Sequence, residues 1–390
     1  MADGARAKIE ITVTPALKGV DPVAWDALSN PPGERRDPFI THAFLSTLED
    51  SRCVGSDSGW DVCHLIAHEG DAMVGAMPLY AKTHSLGEYV FDHAWADAMR
   101  RAGGRYYPKL QCAVPFTPVT GRRIFAANAG VRDMLIAGAK EAARKLEASS
   151  AHITFPTHDE WARSGELGYL QRTGVQFHWT NEGYGGFDDF LAALSSQKRK
   201  NIRKERQRAQ DGLTILRLQG DAITPAYWDF FFRCYIDTGA RKWGSPYLNR
   251  TFFHLLGDRM KDDCVLFVAE EEGRPIASAL NLVGSDTIYG RYWGCTREVP
   301  FLHFELCYYQ AMDYAIAHGL RLVEAGAQGE HKLLRGYAPT ATYSAHWIEH
   351  RGLRDAVARY LADERPAVAH EIEALNEYTP FRKDDKGNAP

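Results

Sequence analysis

The sequence predicts an α/β (α+β) protein built twice over, each copy a mixed, twisted sheet flanked by helices. Three observations carry this. First, HLIAHEGDAMVGAMPL (64–79) and FVAEEEGRPIASALNL (267–282) each read as apolar run, acidic-Gly turn, apolar run, which is the pattern of a β-hairpin. Glu69-Gly70 matches Glu272-Gly273 at an offset of 203 residues. Second, VQFHWTNEG (175–183) matches YSAHWIEHRG (343–352) through His178-Trp179 and His346-Trp347, at an offset of 168. Third, an amphipathic helix and a short strand lie between the echoes in both copies. In copy one these are VRDMLIAGAKEAARKLEAS and HITF; in copy two, ELCYYQAMDYAIAHG and LRLVEAG. The same elements in the same order twice are the mark of an internal repeat.

The elements follow in order. Residues 1–20 hold a first strand, and 40–50 a first helix, capped by Thr41, with Phe44, Leu45 and Leu48 apolar. Copy one then carries about 35 more residues than copy two, within THSLGEYVFDHAWADAMRRAGGRYYPKL and QCAVPFTPVTG. Pro115 and Pro118 argue against a central strand there. FDDFLAALSSQ begins a helical link, and KRKNIRKERQR (198–208) continues it as a basic helix. The tail LRDAVARYLADERPAVAHEIEALNEY has the apolar stripe Leu353, Val357, Tyr360, Leu361, Val368 and Ile372. Pro366 is expected to break or kink it, and KDDKGNAP is expected to be disordered. The division is 1–183 for the first domain, 184–212 for the basic helical link packed with the second domain, 213–352 for the second domain, and 353–390 for the tail.

A chain of 390 residues exceeds the ~150 of one typical domain. With 45% hydrophobic and 25% charged residues it has an ordinary globular mix. A net charge of −4 excludes a general nucleic-acid coat protein, so any polyanion contact is local. No apolar run approaches the ~20 residues of a membrane span. The N-terminal MADGARAKIEITVTP lacks the apolar core of a secretory signal. Cys53, Cys63, Cys112, Cys234, Cys264, Cys295 and Cys307 form an odd set without C-x-x-C, which reads as reduced thiols packed as small hydrophobes. These features together predict a cytoplasmic protein.

Six stretches narrow the class: DPFITHAFLSTLE, EYVFDHAWA, YYPKLQCAVPFTPVTG, the basic helix, GRYWGCTREVPFLHFELCYYQA and EAGAQGEHKLLRGY. With the order strand–helix–hairpin–strand–helix–strand–strand, they make the chain resemble the FemAB-like family of predicted N-acyltransferases, in the GNAT superfamily, over nearly its whole length. The resemblance implies two tandem GNAT-like acyl-CoA N-acyltransferase domains and acyl transfer to a primary amine. The more distant Fem transferases of cell-wall synthesis share a basic helix between two such halves and a Lys-x-x-x-aromatic segment late in the second. They move an amino acid from aminoacyl-tRNA to a peptidoglycan precursor, whereas ordinary GNAT enzymes use acyl-coenzyme A. Acyl-coenzyme A is therefore the expected donor, with aminoacyl-tRNA the alternative. The acceptor is a small-molecule or peptide amine. One departure stands out. GNAT enzymes usually cradle the coenzyme A pyrophosphate with an Arg/Gln-x-x-Gly-x-Gly/Ala loop, but copy two has CTREVPFLHFELC there, and copy one's GRRIFAANAG is only a loose echo.

Three stretches carry candidate chemistry. On the basic helix, Arg199, Arg203 and Arg206 share one face and Lys200, Lys204 and Arg208 another, with Glu205 paired to Arg208. Unpaired cations repel one another, so a bound anion stabilises such a helix, and guanidinium forks suit phosphate. Arg199, Arg203 and Lys204 are therefore expected to bind a phosphate-bearing substrate rather than DNA. The bland alternative is a solvated strut. In EAGAQGEHKLLRGYAP (324–339), the strand ends near Ala327. The GNAT resemblance implies that strands splay here around substrate. Lys332 and Arg335 are expected to hold a phosphate or carboxylate, with Tyr337 beside them, and Glu324 or His331 to take the amine's proton. In PFLHFELCYYQA (300–311), His303 and Glu305 follow a strand near the place of the acyl carbonyl. There, backbone N–H groups can stabilise an oxyanion. Against these stand a solvated loop, helix capping by Glu305, and an aromatic core from Phe301, Phe304, Tyr308 and Tyr309. Asp92, His93 and Trp95 either line the cleft or pack a loop. No metal is expected, because His64/His68 and His346/His350 lie on strands, where residues four apart are ~13 Å apart. A non-catalytic module binding an anionic cell-wall precursor or RNA is the rival from another class.

Overall fold

The computed structural model describes residues 8–242, 246–326, 329–378 and 380–382. The first half runs β1 (Ile9–Thr14), α1 (Pro22–Ser29), α2 (His42–Asp50), β2 (Trp60–Val62), β3 (His64–Glu69), β4 (Ala72–Met77), β5 (Leu79–Lys82), α3 (His93–Arg101), β6 (Lys109–Cys112), β7 (Phe125–Ala126), α4 (Ala129–Lys145), β8 (Ser150–Thr154), α5 (His158–Glu166) and β9 (Leu170–Thr180). The second half runs α6 (Phe187–Ala193), α7 (Ser196–Gln210), β10 (Thr214–Gln219), α8 (Pro225–Lys242), α9 (Arg250–Arg259), β11 (Cys264–Glu271), β12 (Arg274–Val283) and β13 (Thr287–Cys295). It continues through α10 (Leu302–Phe304), a π-helical turn (Glu305–Tyr309), α11 (Gln310–Ala317), β14 (Leu322–Glu324), a 3-10 helix (Glu330–Arg335), β15 (Ala338–Ile348) and α12 (Arg351–Asn376).

Local chemistry sets these elements. Thr41 caps α2 by accepting from Phe44 N at 3.1 Å. Thr157 and Glu160 form a capping box on α5, and Glu160 also accepts from the backbone of Arg123 and Ile124. Both hairpins form where the acidic-Gly turns stand, β3 with β4 and β11 with β12. The segment holding Pro115 and Pro118 carries no strand. None of the seven cysteines forms a disulfide among the described residues, and six of them are buried. Pro366 does not break the tail: α12 runs through it, with Pro366 on the exposed side, where the freed carbonyl reaches water. The strand end expected near Ala327 and the disorder expected for 383–390 lie outside the described residues.

Two compact units interleave along the chain: Met1–Gly174 with Thr342–Val368, and Val175–Ala341 with Ala369–Pro390. The first unit has one antiparallel sheet in the order β1-β3-β4-β7, and a second formed by β2, β5, β6, β8 and the end of β15. Helix α4 covers the apolar side, where Leu65, Met77, Leu79, Leu110 and Ile153 meet Val131, Leu135 and Ile136. The second unit carries β10-β11-β12-β13-β14 and the end of β9, with only β13 and β14 parallel. Its core joins Val265, Phe267, Ile288 and Val323 to Leu306, Tyr309 and Met312.

The final strands are exchanged. Strand β9 closes copy one in the sequence, yet its residues His178, Trp179 and Thr180 pair with Glu324, Val323 and Leu322 of β14. Strand β15 closes copy two, yet Ser344–Ile348 pair with Thr154–Ser150 of β8. The division at 183, 212 and 352 follows the repeat; the compact units follow this exchange.

Candidate active site

The second unit contains a slot made by its own strands. β13 and β14 pair only from Thr287↔Leu322 to Tyr289↔Glu324. Beyond Tyr289, β13 continues to Cys295 beside β12 alone, and Gly290, Arg291, Tyr292 and Trp293 are half-buried. A β-bulge at Arg291, the extra residue between Gly290↔Asn281 and Tyr292↔Leu280, bends the strand as it leaves. Gly294 permits close packing: a Cβ there would lie 2.2 Å from the Cys234 carbonyl oxygen of α8.

Register decides which side chains face the slot from each side, because paired residues share a face. Leu282, Tyr289, Glu324 and His178 form one such row. Glu324 and His178 are buried, with Glu324 Oε2 3.9 Å from His178 Nε2, and His178 Nε2 lies 3.3 Å from Gln176 Oε1. Trp293, paired with Ala279, points to the other face and meets His303 with ring centroids 5.3 Å apart. On that side Tyr308 OH and His331 Nε2 are 2.8 Å apart, and the His303 and His331 rings are 6.5 Å apart. Glu324 thus stands where the strands part, with His303 and His331 across the sheet from it.

Lys332 is buried and donates to Gly326 O at 2.7 Å, tying the 3-10 helix to the end of β14. Burial pushes its ammonium down to about 8. Tyr337 is buried against Tyr308, its hydroxyl without a hydrogen-bond partner among the described residues.

Two expectations change. Glu305, expected near the acyl carbonyl, is fully buried and accepts from Arg206 Nε at 3.1 Å, Arg206 Nη2 at 2.9 Å, Gln210 at 2.9 Å and Gln310 at 2.6 Å. Asp313 accepts from the same guanidinium at 2.7 Å. The oxygens of Glu305 are occupied in fixing α7 against the π-helical turn. Arg335, expected to hold a substrate anion, is held by the chain's own Glu205 at 2.9 and 3.0 Å and lies 3.5 Å over the Phe304 ring. Tyr309 OH also donates to Glu205, so Glu205 does not pair with Arg208 as expected. Helical periodicity shows a residue's own-helix neighbours, not the buried partner a second element brings.

On α7, Ile202 and Ala209 are buried and the other side is charged. Arg203 pairs with exposed Asp188 at 3.0 Å. Lys198, Arg199, Lys200, Lys204 and Arg208 make no ion pair among the described residues. Within the first unit, Trp95 is buried in packing with Ile348 and Leu353, Asp92 is buried and pairs with Lys109, and His93 is exposed. Sequence reasoning did not single out His178 and Gln176 for the site; the structure places His178 beside Glu324 and Gln176 beside His178. Their signal was polarity inside the otherwise apolar strand VQFHWT.

The fold has solved counterparts. FemX matches with a TM-score of 0.55 at 13% identity, over 87% of this chain and 98% of that one. L-PGS from Bacillus licheniformis matches at 0.50 and 13%, over 85% and 98%. A tandem GNAT protein from the clavulanic acid biosynthesis pathway matches at 0.45 and 13%, over 87% and 98%. No curated protein matched the chain. A family model described as peptidoglycan biosynthesis/recognition matches residues 16–383, and on that span the chain belongs to the FemAB-like family.

Proposed function

We propose that the chain is an N-acyltransferase that moves an acyl or aminoacyl group from an activated donor to a primary amine, by direct attack in the slot between β13 and β14. The observation that carries this is the parting of the two strands after Tyr289 and Glu324. An unpaired strand edge offers backbone N–H and C=O groups to an extended acyl chain, as a missing strand would. Holding donor and amine in line in this slot supplies much of the acceleration. Glu324, beside His178, takes the proton the amine loses; His303 and His331 face the donor side. Lys332, anchored at Gly326 O, places a positive charge at the end of β14, where it favours a developing oxyanion. The family's description, peptidoglycan biosynthesis/recognition, favours an acceptor amine on a cell-wall precursor.

Acyl-coenzyme A is the first donor to test. A second reading, aminoacyl-tRNA, is favoured by one observation, the five cations of α7 without an ion pair among the described residues. Titrating the protein with coenzyme A and with tRNA at two salt concentrations separates them. Saturable coenzyme A binding with weak, salt-sensitive tRNA binding supports the first. Preferential tRNA binding supports the second. In that case the log–log salt slope should fall by ~0.7 for each phosphate no longer neutralised once Arg199 and Lys204 become Ala. Failure to turn over any donor–amine pair, with binding intact after Glu324→Gln, favours a non-catalytic binding module.

A further inference from the structure

The first unit buries a polar sheet face. Along β2, β5, β6, β8 and β15, one side carries Leu79, Leu110, Cys112, Ala151, Ile153 and Ala345 against α4. The register places Lys82 beside Lys109, and Tyr80, Gln111, His152 and His346 in one row across four strands on the opposite side. A polar face normally meets solvent. This one is at most 2% exposed at these six residues, because the copy-one insertion lies over it.

The insertion has two parts. Helix α3 and Tyr106 are anchored by apolar packing of Trp95, Met99 and Tyr106 on Ile348, Leu353 and Val357. Residues 83–91 have no helix or strand and turn the apolar side chains of Leu86 and Phe91 outward, 51% and 62% exposed. Inward the loop sends Glu88 and Ser85, and it sets His84 Nδ1 3.3 Å from Lys82 Nζ. The Glu88 carboxylate meets Lys109 Nζ at 2.6 Å and Lys82 Nζ at 3.5 Å. Lys109 also holds Asp92 and donates to Ser85 at 2.9 Å. Lys82 lies 3.6 Å over the Trp60 ring and donates to Leu86 O at 2.8 Å.

The fit is incomplete. Asp92 Oδ1, Gln111 Oε1, Tyr80 OH and Trp60 Nε1 are buried without a hydrogen-bond partner among the described residues, and Glu88 Oε1 has only the long contact to Lys82 Nζ, at 3.5 Å. Orphaned polar atoms on both the sheet and the insertion, at Asp92, call for an explanation, and groups that the insertion does not fully replace supply one.

We propose that the Lys82–Lys109 pair, with Tyr80, Gln111 and Trp60, is a binding site for the carboxylate of a small acid or peptide, and that Glu88 on loop 83–91 occupies it as a stand-in when no ligand is bound. The ligand carboxylate takes the place of Glu88 between the two ammonium groups, while Asp92 stays with Lys109 and Tyr106. The site belongs to the first unit, and its test does not depend on turnover.

The experiment uses the full chain and N-acetylglycine as probe, with N-acetylglycinamide as the uncharged control. Glu88→Gln removes the stand-in charge, so N-acetylglycine should bind at least tenfold tighter by calorimetry than to wild type, and the amide should not bind. Lys82→Met should abolish the binding. On the wild type, an amine-labelling reagent read by mass spectrometry should modify Lys82 slowly, and N-acetylglycine should protect it. Saturable binding of the amide equal to that of the acid, or binding unchanged by Lys82→Met, overturns the proposal. If Glu88→Gln does not fold, the wild-type footprint decides: no protection of Lys82 at saturating acid overturns it as well.

Discussion

Glu305 and Glu324 are both buried carboxylates, and their neighbours give them different work. Glu305 neutralises Arg206 inside the fold. Replacing it by Gln strips half the counter-charge from a buried guanidinium, with Asp313 remaining. The expected loss is about 2–3 kcal/mol of stability, read as a lower denaturant midpoint, with the pH profile of transfer unmoved. Glu324→Gln should do the reverse: stability nearly intact, and turnover down by roughly 100-fold or more. Lys332 makes a third test. Its ammonium is lowered from 10.5 to about 8 by burial, so the unfolded chain holds more protons between these values. Stability contributed at this site therefore rises with pH across that window, by roughly 3 kcal/mol at most. Lys332→Met should remove this rise, so the difference between variant and wild type changes as pH climbs from 8 to 10.5. A pH-independent difference would show that the ammonium is solvated.

At the scale of elements, the hairpins, α2, α4 and the basic helix were legible because each rests on near-neighbour pattern: period two, period 3.6, a capping Thr, an acidic-Gly turn. What the pattern could not carry was the partner across space. PFLHFELCYYQA read as a helix, and its π-helical turn at Glu305–Tyr309 follows from packing with α7 that no local propensity encodes. The slot was expected from resemblance, and its wall at Gly294 had no sequence signal beyond a glycine in a strand. Gly294→Ala tests that wall. A Cβ 2.2 Å from the Cys234 carbonyl must push β13 off α8, costing about 2–4 kcal/mol. A change under about 0.5 kcal/mol in stability would mean the strand moves freely.

For the whole molecule, the repeat was legible and the exchange was not. VQFHWT and YSAHWI have the same alternation, and β-pairing reads alternation rather than copy number. Either strand satisfies either sheet, so the sequence does not say which takes which. The exchange does predict how fragments behave. Residues 1–183 alone lack the β15 strand that pairs with β8, and lack Leu353, Val357 and Leu361 from the cluster around Trp95. That fragment should be unfolded or self-associated by circular dichroism and light scattering, and should recover structure on mixing with 184–390. A monomeric, cooperatively melting 1–183 would contradict the interleaving.

The exchange also reaches into synthesis. A chain emerging N-terminus first displays the open edge of β8 long before residues 344–348 exist to cover it. At ~5–20 residues per second, that edge waits roughly 10–40 s for its partner. During this interval the nascent protein is a half-finished sheet in search of a strand, and the nearest candidate is the neighbouring nascent chain on the same message. Slow translation between the copies should therefore lower the soluble yield, an effect no measurement on the finished protein would reveal.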